Sequence, residues 1–412
     1  MSQIDITLDR ETLIASFAED YNKALTYLLT VLLNAIMRAE SEEQLGAAKH
    51  ERSPERKDYR NGTRDRPLTT RIGRIILQVP RHRNVPFETM IFDQYQRSEA
   101  ALLTTMAEMV VQGVSTRKVS NVMEELCDTS FSRSSVSVAC KRLDDGVQAF
   151  KERPLLDHYP FVTVDAKYFK VREDHRIVSK ALMVAMGITA DGRKEIIGFE
   201  AYDSETKNTW TAFFEKLQSR GLKDVHLFTS DSHAGLIAAM KKVYPKVAWQ
   251  RCQFHFVKNI MDHTPKKEQK GLQSELREMF DAPTIEEARK RKDEIVKDYG
   301  SVAEKAMMTL DEGFEASMSV MYLPGTIRKI LRTSNAMERE NGELGRRYDV
   351  IRIFPNMESL VRLMGSVLID RHHILSSRQG VFSETRYKEA VNEFRPLLIQ
   401  VAYEQEKLLE AA

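Results

Sequence analysis

Apolar positions along the chain recur in two rhythms, and the change from one to the other divides it. Leu13, Phe17, Tyr21, Leu25, Leu28 and Leu32 recur at helical spacing, which predicts helix over residues 11–45 with a stripe suited to a core or to a second copy of the chain. Residues 49–66 are charged, poor in apolar side chains and contain Asn61-Gly62, so they read as loop or turn. TTRIGRIILQVPRHRN follows as a short strand. Helical spacing returns over residues 98–150. One helix spans 100–112 and is stopped by Gly113, and a second, capped by Ser115, runs to Leu126. A third opens at Ser132-Arg133-Ser134-Ser135 and carries Val136, Val138, Ala139, Arg142 and Leu143. This is the outline of a helix-turn-helix, shared by three-helix bundles that bind no DNA.

After Pro154 the period becomes two. In FVTVDAKYFKV, residues 161–171, Val162, Val164, Ala166 and Tyr168 face one way and Thr163, Asp165 and Lys167 the other. Residues 178–189 and 195–201 form a second and third strand around the turn Ala190-Asp191-Gly192-Arg193. An amphipathic helix over 207–220 (Trp210, Phe213, Phe214, Leu217) ends at Gly221. Residues 225–229 make a fourth strand, Ser232 caps another helix and residues 247–250 make a fifth strand. Three antiparallel strands followed by βαβα predict an α/β, ribonuclease-H-like mixed sheet. Residues 266–323 read as helix, an all-α insertion. The expected organisation is a helical region and candidate dimerisation element (1–48), a basic arm or β-ribbon (49–97) and a helix-turn-helix-like, DNA-binding helical domain (98–153). The sheet domain (154–265), the insertion (266–330) and the final helices and tail (331–412) follow.

A hydrophobic content of 42% in 412 residues supports more than one core. The net charge of +2 gives the whole chain no preference for an acidic partner, but residues 49–83 hold eleven Lys/Arg against four Asp/Glu. Arg60, Arg64, Arg71, Arg74, Arg81 and Arg83 there suit a nucleic-acid backbone or a solvated surface equally. Cys127, Cys140 and Cys252 are odd in number and far apart, which implies no disulfide framework and fits a reducing cytoplasm. The polar, acidic start is unlike a signal peptide, and the apolar run over 25–37 is too short to span a bilayer. No membrane segment is expected.

The chemistry centres on acids. Asp165 interrupts an apolar strand, which marks either a solvated face or a site. Asp231 follows a strand end and precedes a helix, where an Asp either caps the turn or faces a ligand. Glu338, near the start of a helix capped by Ser334 or Asn335, is either a favourable first-turn charge or a third acid. Two carboxylates at one sheet edge repel unless a divalent cation neutralises them, and Mg2+ suits oxygen ligands. Arg339, Arg346 and Arg347 lie along the same helix and can hold a DNA backbone. Cys252 and His255 share a helix face, but no second pair completes a zinc set, so a buried thiol beside an active-site or DNA-facing His is the fuller reading.

These residues, with NGT, TRIG–VPR, GVSTRKV, VDAKYFKVR, TSDSHAGL, QRCQFHFVKN, SNAMERENGELGRR and IFPN in that order, resemble the Mutator-type family of bacterial insertion-sequence DNA transposases. By that resemblance the acidic (DDE) triad is Asp165, Asp231 and Glu338, with Glu340 and Glu343 close by, and the Cys-x-x-His signature is Cys252 and His255. It implies cleavage at the element ends, exposing a 3′-hydroxyl, and joining of that hydroxyl to another DNA strand. Two Mg2+ ions (Mn2+ can substitute) are the expected cofactors. Terminal inverted repeats and target DNA are the expected partners, met through the arm and also through Arg117, Lys118, Arg133, Ser134 and Arg251. Holding two ends implies at least a homodimer, acting in the bacterial cytoplasm at the nucleoid. Two rivals are a helix-turn-helix regulator with a catalytically inactive sheet and a ribonuclease-H-type nuclease, which leaves the N-terminal modules without a use.

Overall fold

The N-terminal helical spacing produces α1 (Arg10–Glu19) and α2 (Tyr21–Leu45), after which the chain doubles back as an antiparallel ribbon, β1 (Arg60–Thr70) and β2 (Gly73–His82). The computed structural model describes residues 8–19, 21–49, 51, 54–70, 72–89, 91, 100–127, 131–156 and 158–411. It forms two compact units, Met1–Leu143 and Asp144–Ala412. Residues 60–66, expected as loop, are strand. Backbone pairing to β2 needs no apolar side chains, so a solvated strand carries no hydrophobic signature. Gly62 (φ 75°) is not a hairpin turn: it occupies a break in register between Arg60 and Thr63, and the ribbon turns between Thr70 and Gly73. Leu68, Ile75, Leu77 and Val79 bury one face of the ribbon against Met37, Leu29 and Leu33 of α2.

Three helices complete the first unit: α3 (Ala100–Val111), α4 (Thr116–Cys127) and α5 (Arg133–Cys140), around Leu102, Met106, Val119, Met123, Val136 and Ala139. Ser132 Oγ caps α5 by accepting the Ser135 N–H at 3.0 Å. The third helix ends at Cys140 instead of continuing through Leu143, which starts a new helix, α6 (Leu143–Glu152). In the second unit Asp144, in the first turn of α6, accepts two bonds of 2.6 Å from the Arg362 guanidinium.

The second unit is built on five strands, β3 (Phe161–Glu173), β4 (Arg176–Ile188), β5 (Lys194–Tyr202), β6 (Leu227–Ser230) and β7 (Ala248–Arg251), in the order β5-β4-β3-β6-β7. The β5-β4-β3 part is antiparallel, whereas β6 and β7 run parallel to β3. This mixed α/β sheet is consistent with the expected ribonuclease-H-like class. Between β5 and β6 lies α7 (Lys207–Ser219), and between β6 and β7 lies α8 (Ala234–Val243), capped by His233 Nδ1 and not by Ser232. Both sheet faces are covered, so the interior strand β4 reads from Ala181 to Ile188 as a nearly continuous apolar run. Val162 and Val164 pack with Trp210, Phe213, Phe214, Leu236 and Met240 from α7 and α8.

After β7 the chain is helical: α9 (Gln253–Asp262), α10 (Gln269–Phe280), α11 (Ile285–Tyr299), α12 (Glu304–Ser317), α13 (Gly325–Leu331), α14 (Asn335–Ile351), α15 (Met357–Ser376) and α16 (Glu384–Ala411). Helices α9 to α12 bury their own core around Phe256, Leu276, Leu310 and Phe314. Phe161 and Leu227 face Phe382, Tyr387 and Phe394 at and near α16. The side chain of Gln405 accepts from the Trp249 N–H at 2.9 Å and donates to its carbonyl at 2.7 Å, supplying the edge strand with the bonds a sixth strand would make. Among the described residues no helix is long and apolar enough to cross a membrane.

A second polar link ties α16 to the strand starts. Tyr387 Oη lies 2.8 Å from His226 Nε2 and 2.9 Å from His158 Nε2, and His158 Nδ1 lies 2.9 Å from Asp224 Oδ2. A hydroxyl has one proton, so Tyr387 donates to one imidazole and accepts from the other. Burial pushes His226 down to about 4, which keeps it neutral. Tyr387→Phe is expected to leave both imidazoles short of a partner, costing about 1–2 kcal/mol and roughly 2–6 °C in melting temperature. An unchanged melting temperature by calorimetry would show that this link contributes nothing.

Candidate active site

Beyond Thr163 the sheet opens. β3 pairs with β6 only through Phe161↔Leu227, Val162↔Phe228 and Thr163↔Thr229, while its pairing with β4 continues to Glu173. The register offset (161 to 227) equals the separation of the two aspartates (165 to 231). Each acid therefore stands two residues past the last β3–β6 pair, at the carboxyl end of β6, where open α/β sheets bind ligands. Asp165 Oδ1 accepts the Ala166 N–H at 2.9 Å, and Asp231 Oδ1 accepts the His233 N–H at 3.4 Å.

Glu338 comes from α14, whose position is set from both sides. Asn341 Nδ2 donates to Asp165 Oδ2 at 2.7 Å, and Lys167, on the same face of β3 as Asp165, donates to the Asn341 carbonyl. The helix passes so close that a Cβ at Gly345 would lie 2.9 Å from Lys167 Nζ. At its C-terminal end, Arg352 in the left-handed region (φ 64°) stops the helix, and Phe354 bonds to Lys170 and Arg172 alongside β3. At its start the buried Cys252 Sγ accepts from the Ser334 N–H (3.3 Å) and Oγ (3.2 Å). Ser334 Oγ in turn reaches Glu338 Oε1 at 3.4 Å, and His255 Nε2 lies 3.3 Å from the same oxygen.

The neighbouring acids are engaged elsewhere. Glu340 is buried, with its carboxylate held by Arg371 at 2.6 and 3.1 Å, and Glu343 pairs with Arg346. Glu338 alone of the three is tied to the Cys252–His255 helix. Donor atoms of Cys252, His255 and Glu338 lie within 4.8 Å of one another, which could hold a cation. A four-ligand zinc set is not formed by these three, and the thiol is already occupied by Ser334.

Electrostatics mark Asp165. Burial raises its carboxyl to about 7, the Ala166 N–H opposes this, and the charges of Asp231, Glu205 and Glu338 raise it further. Glu205, in the turn before α7, is also raised, by burial and by Asp231. The turn is pressed against α8: a Cβ on Gly235 would lie 2.9 Å from the Lys207 nitrogen. Nothing in the sequence around Glu205 points to the site, because only the fold brings the turn there. Asn341 was legible in principle, being three residues from Glu338 on the same helix face. The four acids outnumber the Lys and Arg charges beside them, Lys167 at Asp165 and Arg251 at Asp231, and their oxygens suit coordination of a divalent ion.

The basic residues distribute unevenly. In the first unit Arg64, Arg74, Arg81 and Arg83 are exposed on the ribbon, and Arg64, Arg66, Arg81 and His82 line a cleft of about 580 Å³. Arg60 is instead tied to the Ala47 and Ala48 carbonyls, and Arg71 lies outside the described residues. Arg117 and Lys118 on α4 and Arg133 and Ser134 on α5 are exposed. In the second unit Arg339 is exposed, Arg346 is paired with Glu343 and Arg347 is half-buried. Arg251, grouped from the sequence with the DNA-facing residues, turns inward, its guanidinium 4.3 Å above the Phe256 ring.

Residues 1–376 match the family described as Transposase, Mutator family. The transposase for insertion sequence element ISRM5 of Rhizobium meliloti (strain 1021) is 42% identical over 348 residues, covering 84% of this chain and 87% of that protein. The transposase for IS256 in transposon Tn4001 of Staphylococcus aureus is 41% identical over 390 residues, 92% of this chain and 99% of that protein. The transposase for IS1081 of Mycobacterium tuberculosis (strain ATCC 25618 / H37Rv) is 36% identical over 368 residues, 89% of each.

Two outcomes follow from the geometry. The folded Asp165 carboxyl holds a proton that the unfolded chain releases at lower pH, so the ionised site costs stability increasingly from about pH 4 to pH 7 and levels off above. In EDTA, Asp165→Asn should therefore melt higher than wild type by roughly 2–6 °C at pH 8, about 1–2 kcal/mol, with the gap closing towards pH 4. A gap that is flat with pH would contradict the raised carboxyl. Asn341→Ala should slow any reaction at this site more than it weakens DNA binding, and cost about 1 kcal/mol of stability. Equal losses in binding and rate would instead point to a general structural role.

Proposed function

Because the chain belongs to the Mutator family of transposases, we propose that it is the DNA transposase of a bacterial insertion sequence, with Asp165, Asp231 and Glu338 as its catalytic acids. The observation that supports this reading is the shared register offset of β3 and β6, by which Asp165 and Asp231 stand at the same level of neighbouring strands, with Asn341 of the Glu338 helix bonded to Asp165. The reaction has two steps. Water first cleaves a phosphodiester at the element end, breaking the P–O3′ bond and leaving a 3′-hydroxyl. That hydroxyl then attacks a phosphodiester of another strand, forming one P–O bond and breaking another, so no protein nucleophile is required. Asp165, Asp231 and Glu338 would hold two Mg2+ ions, with Mn2+ able to substitute; when bound, these supply stabilisation of the attacking and leaving oxygens.

The chain's own residues have separable tasks. Asn341 and Lys167 keep Asp165 and α14 in register, and His255 and Ser334 orient the Glu338 carboxylate. The exposed arginines of the β1–β2 ribbon follow the DNA backbone, where contacts position without reading sequence. Helices α3 to α5 act as the helix-turn-helix that reads the terminal inverted repeats, with Arg133 and Ser134 at the start of the recognition helix. Helices α9 to α12 form an insertion between β7 and the helix that carries Glu338. Two chains, one for each end, act together as a homodimer in the bacterial cytoplasm.

The rival is a DNA-binding regulator with an inactive sheet. It explains the ribbon and helices but gives no reason to crowd carboxylates until one resists ionisation. With purified protein, Mg2+ and duplexes carrying the element's own ends, Asp165→Asn, Asp231→Asn and Glu338→Gln should each lower nicking and joining roughly a hundredfold or more. End binding should stay near wild type. Nicking by Asp165→Asn at the wild-type rate would remove the assigned role, and end binding without any Mg2+-dependent cleavage by wild type would favour the regulator.

A further inference from the structure

Between α9, α10 and the start of α14 is a cleft of about 510 Å³ lined by Phe254, Val257, Lys270, Arg277, Arg332 and Asn335 among others. Its lining has three cations and no carboxylate. Phe254 is 50% exposed and touches His255, edge to face at 5.5 Å, which in turn contacts Glu338. Single exposed apolar residues are ordinary on protein surfaces. This one differs because it lies in a concave, cationic site of the size that takes a small ligand. The walls are well set: the Arg332 guanidinium is held by Asp281 at 2.6 Å and its carbonyl by the Gln253 N–H at 2.9 Å. Asn335 begins the helix that carries Glu338 less than one turn later.

Resting on the transposase reading above, we infer that this cleft takes one unpaired nucleotide of the DNA next to the scissile phosphate, with its base stacked on Phe254 and its phosphate held by Lys270 and Arg277. A paired duplex does not enter a cleft of this size, whereas a single base has a flat face for the ring. Lys270 and Arg277 are exposed and make no ion pair among the described residues, which leaves their charge for a phosphate. Unpairing a base beside the reacting bond also frees the backbone there to reach the acids.

The test uses the full chain, Mg2+ and end duplexes in which a mismatch is placed at each position around the cleavage junction. Phe254→Ala should cleave the perfect duplex roughly 5- to 150-fold more slowly, the range of one lost base–aromatic contact. A mismatch at one junction position, which unpairs that base beforehand, should restore most of the rate, and Phe254→Trp should stay near wild type. Asp165→Asn should not be rescued by any mismatch. Wild-type cleavage by Phe254→Ala, or a defect that no mismatch relieves, would overturn the inference while leaving the transposase reading intact. A change in oligomeric mass of Phe254→Ala in solution would overturn it in favour of a second copy covering the cleft. Failure of the wild-type chain to cleave any of these duplexes would instead strike the transposase reading itself.

Discussion

A parallel strand pair with a fixed 66-residue offset is the constraint on which the rest of the second unit depends. Register in a sheet packed on both faces is strict, because a one-residue slip would take Val162 and Val164 out of the layer under α7 and α8 and set Thr163 and Asp165 against it. The apolar faces therefore also decide where the carboxylates stand. Asp165 and Asp231 are side by side because the valines and phenylalanines around them allow no other alignment.

Side-by-side carboxylates are electrostatically unfavourable, and the protein places compensation nearby. The long pairing of β3 with β4, the aromatic layer under α7 and the side-chain pairing of Gln405 with the edge strand make the sheet rigid enough to hold the repulsion. Asn341 and Lys167 bond α14 directly to β3, so the helix bearing the third acid cannot drift away from the first two. This is the usual relation between a preorganised site and its scaffold: stability is spent locally where charge must be concentrated.

The Cys252–His255 pair gains a physical account from the same geometry. Cys252 acts as an acceptor for Ser334 at the start of α14, and His255 faces the Glu338 carboxylate. Both contacts bear on the start of α14 and the Glu338 carboxylate that it carries. The neighbouring Phe254 lines the cationic cleft, so one turn of α9 meets Glu338 through His255 and borders the cleft through Phe254.

Much of this was legible in the residues. The order of five strands, the helices between them and the helix carrying Glu338 followed from periodicity, glycine stops and caps, because the physics that sets them acts between neighbours in the chain. The strand over residues 60–66 was missed because its stability comes from a partner strand and leaves no apolar mark. Composition could not separate Glu338 from Glu340, and the Arg371 bond to Glu340 does so only once α15 is in place. Glu205, the inward turn of Arg251 and the cleft beside Phe254 were likewise decided by tertiary structure, since each depends on side chains brought together from distant positions. The amino-acid order alone determined which acids were available and on which elements they would lie. Their convergence, and the raised Asp165 carboxyl, came from strand register, burial and helix packing, which are properties of the folded chain.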